Sequence, residues 1–327
     1  MHRSNWRDGL AAIFVLLLLA LAGCGGGGSS GPAASAKVAT PTAVAGRIAA
    51  FGSGVPGSPE ALQELQDAKD AGFDELINYS SMNAAPNDIV RYLDQAATLK
   101  MGIIYSVKDV LGKEDMDGAS AELHRSFFGG TTDEQVEAVT KQFVTHPAVT
   151  GVLISDELPG NRSELDEWLP HLKKRYDQIH RLAPGKPVMV VLYWSGEDPK
   201  FYQAVKQYAD NLAIDFYPIP RNAQYGLESD IPVIGATLDQ VAGGGGWFVL
   251  QAFGWGATAH PEGVDLGYAK ARYAPPNSDQ MVAMAEAAVR SGAKNIAFYS
   301  LADPNRSSLA QVKEAVARIR QAPWWRS

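Results

Sequence analysis

From residue 45 onward, short apolar runs alternate with segments of helical period, and this constrains the fold more than any other feature of the chain. The runs are 47–51 (RIAAF), 75–79 (ELINY), 102–106 (GIIYS), 151–159 (GVLISDELP), 187–193 (PVMVVLY), 212–218 (LAIDFYP), 247–253 (WFVLQAF) and 295–300 (NIAFYS). Near-continuous apolar runs of this length suit strands buried on both faces. Between them, Ser58-Pro59-Glu60 supplies a helix N-cap with proline in the first turn, and Gly72 supplies a stop. Asn87-Asp88 opens a second helix, and Thr131-Thr132-Asp133-Glu134 caps a third with apolar spacing at Val136, Val139 and Phe143. A fourth, over 163–180, carries the stripe Leu165, Trp168, Leu169, Leu172 and Tyr176, which reads as packing. Further helices are expected over 199–210, 231–241, 278–291 and 309–320. Strict alternation implies a parallel sheet, and eight units fit a single-domain (β/α)8 TIM barrel of about 250 residues. An open doubly wound sheet is the alternative. It would show a glycine-rich phosphate turn after an early strand, and 52–57 (GSGVPG) has proline where the helix should begin.

The first 44 residues follow different rules. Arg3 and Arg7 precede an apolar run over 10–22, which is broken at Gly23-Cys24 and short for a membrane span. This is the pattern of a secretory signal over 1–23, and Leu21-Ala22-Gly23-Cys24 resembles the bacterial lipobox. That resemblance implies acylation of Cys24, the only cysteine in the chain, which excludes an intrachain disulfide. Acyl chains bury enough methylene groups to anchor a protein stably to a membrane. Residues 24–44 are mostly Gly, Ser, Ala and Pro without apolar period, and read as a flexible tether ahead of the domain at 45–322. The expectation is an exported, lipid-anchored protein of the cell envelope. Gly25 is not the aspartate associated with inner-membrane retention, which favours the outer membrane or periplasmic face.

Chemistry is expected where a barrel gathers the carboxyl ends of its strands. The run 151–159 ends in Asp156-Glu157, and the others bring Asn78, Tyr79, Tyr105, Tyr193, Trp194, Asp215, Tyr217, Gln251, Trp255 and Tyr299 to the same face. Aromatic rings stack on the apolar faces of sugars while acids and amides take up hydroxyls, so a carbohydrate is the expected partner. The connection over 108–130, which holds Phe127-Phe128, is long for a compact domain and reads as functional.

Over residues 45–321 the chain resembles the bacterial glycoside-hydrolase-like (β/α)8 proteins. The resemblance is carried by 71–76 (AGFDEL), 154–157 (ISDE), 215–218 (DFYP), 251–255 (QAFGW) and 292–300 (GAKNIAFYS). It implies that Glu157 is the general acid, with Asp156 where retaining enzymes of this fold usually carry Asn. In those enzymes a glutamate ending the seventh strand is the nucleophile; Gln251 stands here instead. A neutral amide cannot form the glycosyl-enzyme ester. Three readings stay open. In an inverting hydrolase, Glu157 protonates the leaving oxygen and Asp215 activates water. In a substrate-assisted hydrolase, Asp156 orients a 2-acetamido group and Tyr217 or Tyr299 holds the intermediate. In the third reading, a degenerate barrel only binds carbohydrate. Neighbours on a regular strand point to opposite sides, so Asp156 and Glu157 both face the pocket only if the strand has ended or bulged.

Other chemistries fit poorly. The net charge of −7 and the absence of any Lys/Arg-rich tract argue against nucleic acid. The histidines at 2, 124, 146, 171, 180 and 260 show no metal-ligand spacing, and no cofactor motif is present. His260 could at most line the pocket. No GxSxG turn accompanies Ser155 or Ser300. Trp324-Trp325 reads as a packing or membrane-interface end, and Asp303-Pro304-Asn305 as a turn.

Overall fold

The computed structural model describes residues 46–107, 133–158, 162–194, 199–217, 230–243, 245–254, 275–301 and 306–326. The chain divides into the units Met1–Thr42 and Ala43–Ser327. The first unit, with the expected signal segment and Cys24, lies outside the described residues, as does the functional reading of 108–130. Among the described residues no helix is long and apolar enough to cross a membrane.

The second unit is a closed barrel of eight parallel strands in sequence order. The strands are β1 (Ile48–Gly52), β2 (Glu75–Asn78), β3 (Gly102–Ser106), β4 (Val149–Leu158), β5 (Val188–Tyr193), β6 (Asn211–Phe216), β7 (Trp247–Gln251) and β8 (Asn295–Tyr299). β8 returns to β1 through Ile48 opposite Ile296 and Ala50 opposite Phe298. The helices are α1 (Pro59–Ala71), α2 (Pro86–Leu99), α3 (Asp133–Phe143), α4 (Arg162–Leu182), α5 (Pro199–Lys206), α6 (Asp230–Ala242), α7 (Ser278–Arg290), α8 (Leu309–Gln321) and the short α9 (Pro323–Arg326). The single barrel therefore replaces the open-sheet alternative.

Successive strand residues face opposite ways. One row fills the barrel interior, including Ala49, Phe51, Ile77, Ile104, Leu153, Met189, Val191, Ala213, Trp247 and Val249. The alternate row, with Leu76, Tyr105, Val152, Val190, Leu250 and Phe298 among it, packs beneath the helices. Fully burying one such side chain contributes roughly 1.5–3 kcal/mol.

Local signals set the helix ends. Ser58 Oγ accepts from Ala61 N, and Gly72, at φ 85°, closes α1 in the left-handed conformation that glycine adopts without strain. Capping boxes, Asn277 with Gln280 and Ser308 with Gln311, start α7 and α8. α5 stops short of the expected residue 210 because Lys206 Nζ takes up the carbonyls of Ala209 and Asp210. The Asp210 carboxylate meanwhile accepts from Val188 N, Tyr176 OH and His180 Nε2, stapling α4 to the start of β5.

The amino-terminal end of the barrel is closed by charge and rings. Arg47 pairs with Glu75 at 2.8 Å and lies 4.9 Å over the Trp247 ring. Its backbone N–H donates to Asn295 Oδ1. Asp74 accepts from Ile48 N and pairs with Arg320, which also donates to Gly72 O. Trp325 is buried against Gly46 and so packs.

Candidate active site

At the opposite end, the inward row continues as aromatic rings. Phe51 from β1 packs on Tyr79, just past β2, with centroids 5.2 Å apart, and on Tyr299 of β8 at 5.5 Å. Tyr299 also lies 6.0 Å from Tyr79, 5.9 Å from Tyr217 and 5.4 Å from Phe253. Tyr217 and Phe253 meet edge to face at 5.0 Å. Phe51 and Phe253 are buried, whereas the three tyrosines are half-buried, so the mouth has an aromatic floor.

Asp156 reaches this floor through an irregularity in β4. Leu153 pairs with Met189, but Ser155 pairs with Val190 and Leu158 with Leu192. β4 thus carries one extra residue in each interval, as at β-bulges. Val190 and Leu192 face the helices and Val191 faces the interior. Asp156 and Glu157 together stand opposite Val191, and Asp156 gains the inward direction. Its carboxylate accepts a hydrogen bond from Tyr79 OH. Burial, followed by the charge of Asp156, pushes the Tyr79 phenol well above its ordinary value of 10.0, so this hydroxyl stays protonated. The Glu157 backbone belongs to β4, while its side chain lies outside the described ones.

The remaining expected residues divide by direction. Asp215 and Gln251 lie on inward rows but are 1% and 0% exposed. Gln251 Nε2 donates to Phe253 O at 2.9 Å. A glutamate there would set a carboxylate against that carbonyl, so the amide serves the turn after β7. Tyr193 ends β5, 51% exposed, across the barrel from β1.

Three residues expected to bind substrate point elsewhere. Asn78 is fully buried on the outward row; its amide donates to Gly54 O and Tyr92 OH and accepts from Ser80 N. Tyr105 also points outward, stacks on Phe143 and donates to Ser81 O at 3.3 Å or to Met82 Sδ at 3.2 Å. Trp194 stacks on Tyr202 of α5 at 5.7 Å. In each case strand alternation turns the side chain away from the mouth. Trp255 lies outside the described residues.

The sequence reading missed Phe51 and Phe253, whose only signal was their inward parity. It also missed Glu64. Glu64 Oε2 accepts from Gly54 N at 2.9 Å, so a carboxylate of α1 occupies the glycine-rich turn after β1, where a phosphate would need an open cradle. Burial raises the Glu64 carboxyl above its ordinary value of 4.5 despite hydrogen bonds from Gly54 and Ser53 and the nearby charge of Arg306. Among the described residues no group of three or more His, Cys, Asp or Glu is placed to hold a metal ion.

The sequence matches no family model and no curated protein sequence. Its fold is similar to several solved glycoside hydrolases. An endo-β-1,4-mannanase from Thermotoga petrophila superposes with a TM-score of 0.56 at 13% identity, over 84% of this chain and 77% of that one. A β-galactosidase from the psychrophilic Marinomonas ef1 gives 0.55 at 11% identity, over 84% and 59%. The spore cortex-lytic enzyme SleL of Bacillus cereus gives 0.54 at 10% identity, over 82% and 74%. At these identities the likeness establishes the (β/α)8 architecture.

Proposed function

We propose that the protein is a glycoside hydrolase acting on a cell-envelope or extracellular carbohydrate, held at the membrane by a lipid on Cys24. The observation that carries this reading is the Asp156 carboxylate, turned by the β4 irregularity into a mouth floored with Tyr79, Tyr217 and Tyr299. Glu157 is assigned the general acid that protonates the glycosidic oxygen. Asp156, acting as an acceptor beside Tyr79, is assigned to steady the positive charge that grows on the ring carbon in an oxocarbenium-like transition state. Tyr193 extends the sugar-binding surface across the mouth.

The second step is non-standard, because Gln251 cannot be a nucleophile. Asp215 is 1% exposed, which makes it a poor base for a water molecule. That favours assistance from a 2-acetamido group of the substrate over water activated by Asp215. A second reading, a non-catalytic carbohydrate-binding lipoprotein, is favoured by the structural use of the Gln251 amide. Hydrolysis of envelope and exopolysaccharide fragments by the full chain, beside Glu157→Gln, separates the two. Cleavage abolished by the substitution supports the hydrolase. Binding without cleavage by either protein supports the second reading. The anomer released first distinguishes inversion from substrate assistance, which retains configuration.

A further inference from the structure

Tyr79 stands one residue beyond β2, yet it carries both a ring of the aromatic floor and the hydroxyl that meets Asp156. Past the end of a strand the ladder no longer fixes the backbone, so its position has to come from other partners. Tyr79 N donates to the carbonyl of Gly52, the last residue of β1, at 3.0 Å. Both neighbours of Tyr79 are tied to the turn that follows. Asn78 Nδ2 donates to Gly54 O at 3.0 Å, and Ser80 Oγ donates to Ser53 O at 2.7 Å. Asn78 Oδ1 joins the two by accepting from Ser80 N at 2.7 Å. Residues 52–54 therefore set where Tyr79 stands. That turn is held in place by α1. Glu64, in the middle of the helix, accepts from Gly54 N at 2.9 Å and from the backbone of Ser53. A Cβ at Gly52 would lie 2.6 Å from Glu64 Oε2, and one at Gly54 would lie 2.5 Å from Ala61 Cα. Turn and helix thus meet with no room for a side chain between them.

We propose that Glu64 and Asn78 are positioning residues of the mouth: acting through the turn 52–54, they fix the place at which the Tyr79 hydroxyl meets the Asp156 carboxylate. The effect on reaction rate rests on the hydrolase reading above; the effect on Tyr79 does not. Asn78 serves in this way because strand alternation turns it outward, onto the turn, while Tyr79 beside it turns inward. Asn78 is fully buried, so water does not replace a partner lost from this network, and a satisfied buried network is rigid. Such rigidity matters to chemistry, since a misplacement of about 1 Å caused far from the reacting atoms can cost about 10²-fold in rate.

The experiment is carbon-13 NMR of the full chain with its tyrosines labelled at the ring ζ carbon, the Tyr79 signal being the one lost in Tyr79→Phe. Glu64→Ala is expected to displace that signal and to leave those of Tyr176 and Tyr208, which pack together on the α4–α5 side, where they are. Glu64→Gln keeps an acceptor oxygen for the turn, and its Tyr79 signal falls between the other two. Ser80→Ala removes one bond to the turn at an exposed hydroxyl and displaces the signal less, which keeps the test decisive if Glu64→Ala does not fold. Arg47→Ala destabilises the closed end and leaves the signal unmoved. Circular dichroism melts establish which variants are folded. The rate is then read on a β-linked N-acetylglucosamine oligosaccharide, where Glu64→Ala lowers kcat by about 10- to 10²-fold. Combined with Tyr79→Phe, its effect is less than additive, as expected of a residue that acts through Tyr79. A Tyr79 signal unmoved in folded Glu64→Ala or Ser80→Ala, an equal displacement in Arg47→Ala, or full additivity with Tyr79→Phe each overturns the proposal. Displaced signals with no cleavage of any glycan sink the hydrolase reading and leave this one standing. Cleavage with an unmoved signal does the reverse.

Discussion

The two ends of the barrel use similar groups to opposite ends. At the closed end Glu75 is paired with Arg47, which lies over Trp247 and donates its backbone N–H to Asn295, while Ile48 N donates to Asp74, contacts that tie β1 to its neighbours. At the mouth Asp156 meets a phenol, and the rings around it keep part of their surface exposed. A carboxylate matched by a cation of the same chain stabilises the fold. A carboxylate set among half-exposed rings at the carboxyl ends of the strands lies where barrels carry their chemistry. On the proposed function, stability and chemistry separate along the barrel axis, as they do in barrels generally.

Substitutions at the two ends should therefore have different signatures. The largest effect is expected at the mouth. Asp156→Asn lowers kcat by about 10²- to 10⁴-fold, the range typical of a lost catalytic group, with little change in melting temperature. Steady-state kinetics beside a thermal melt checks both halves. Arg47→Ala has the converse signature. It leaves the 97%-buried Glu75 carboxyl without its ion pair and costs about 2–3 kcal/mol at neutral pH, read from urea unfolding, with kcat intact. The discount from a fully buried pair reflects the 37% exposure of the Arg47 side chain. Tyr105→Phe sharpens the contrast for a residue that stands near the end of a strand beside the mouth but points outward. Loss of its buried hydroxyl costs about 1 kcal/mol of stability and leaves glycan affinity unchanged.

The smallest effect is a pH dependence at the closed end. Burial raises the Glu75 carboxyl above 4.5, outweighing the lowering by Arg47 and Thr150. The folded state then holds this proton to higher pH than the unfolded chain. Stability from Glu75 is fully present below the unfolded value, near 4.5, and is lost as pH rises through the folded one. Relative to Glu75→Gln, the wild-type protein should lose stability upward across that window, measured by unfolding at a series of pH values. A wild-type advantage over Glu75→Gln that shrank toward acid would contradict the burial argument.

The barrel was legible because eight apolar runs and their intervening helical patterns each carried their own signal. The mouth was legible only in part, because reading the last residue of every run ignores which way it faces. Ile77 inside fixes Tyr79 inside and Asn78 outside, and the same count sends Tyr105 and Trp194 outward. Phe51 and Phe253 read as ordinary core residues and became floor because their rows end there. Asp156 is different: its direction depends on residues inserted into the β4–β5 register, which no local pattern announces. Glu64 was silent for another reason. It is a helix residue whose partner, Gly54, precedes that helix in the chain.

The most direct test of the division between a structural and a chemical end is cleavage of envelope glycan fragments by the full chain, compared with Glu157→Gln and Tyr105→Phe. The account predicts products from the wild-type protein and from Tyr105→Phe, and none from a folded Glu157→Gln. Cleavage undiminished in Glu157→Gln would contradict it and move the chemistry away from the end of β4.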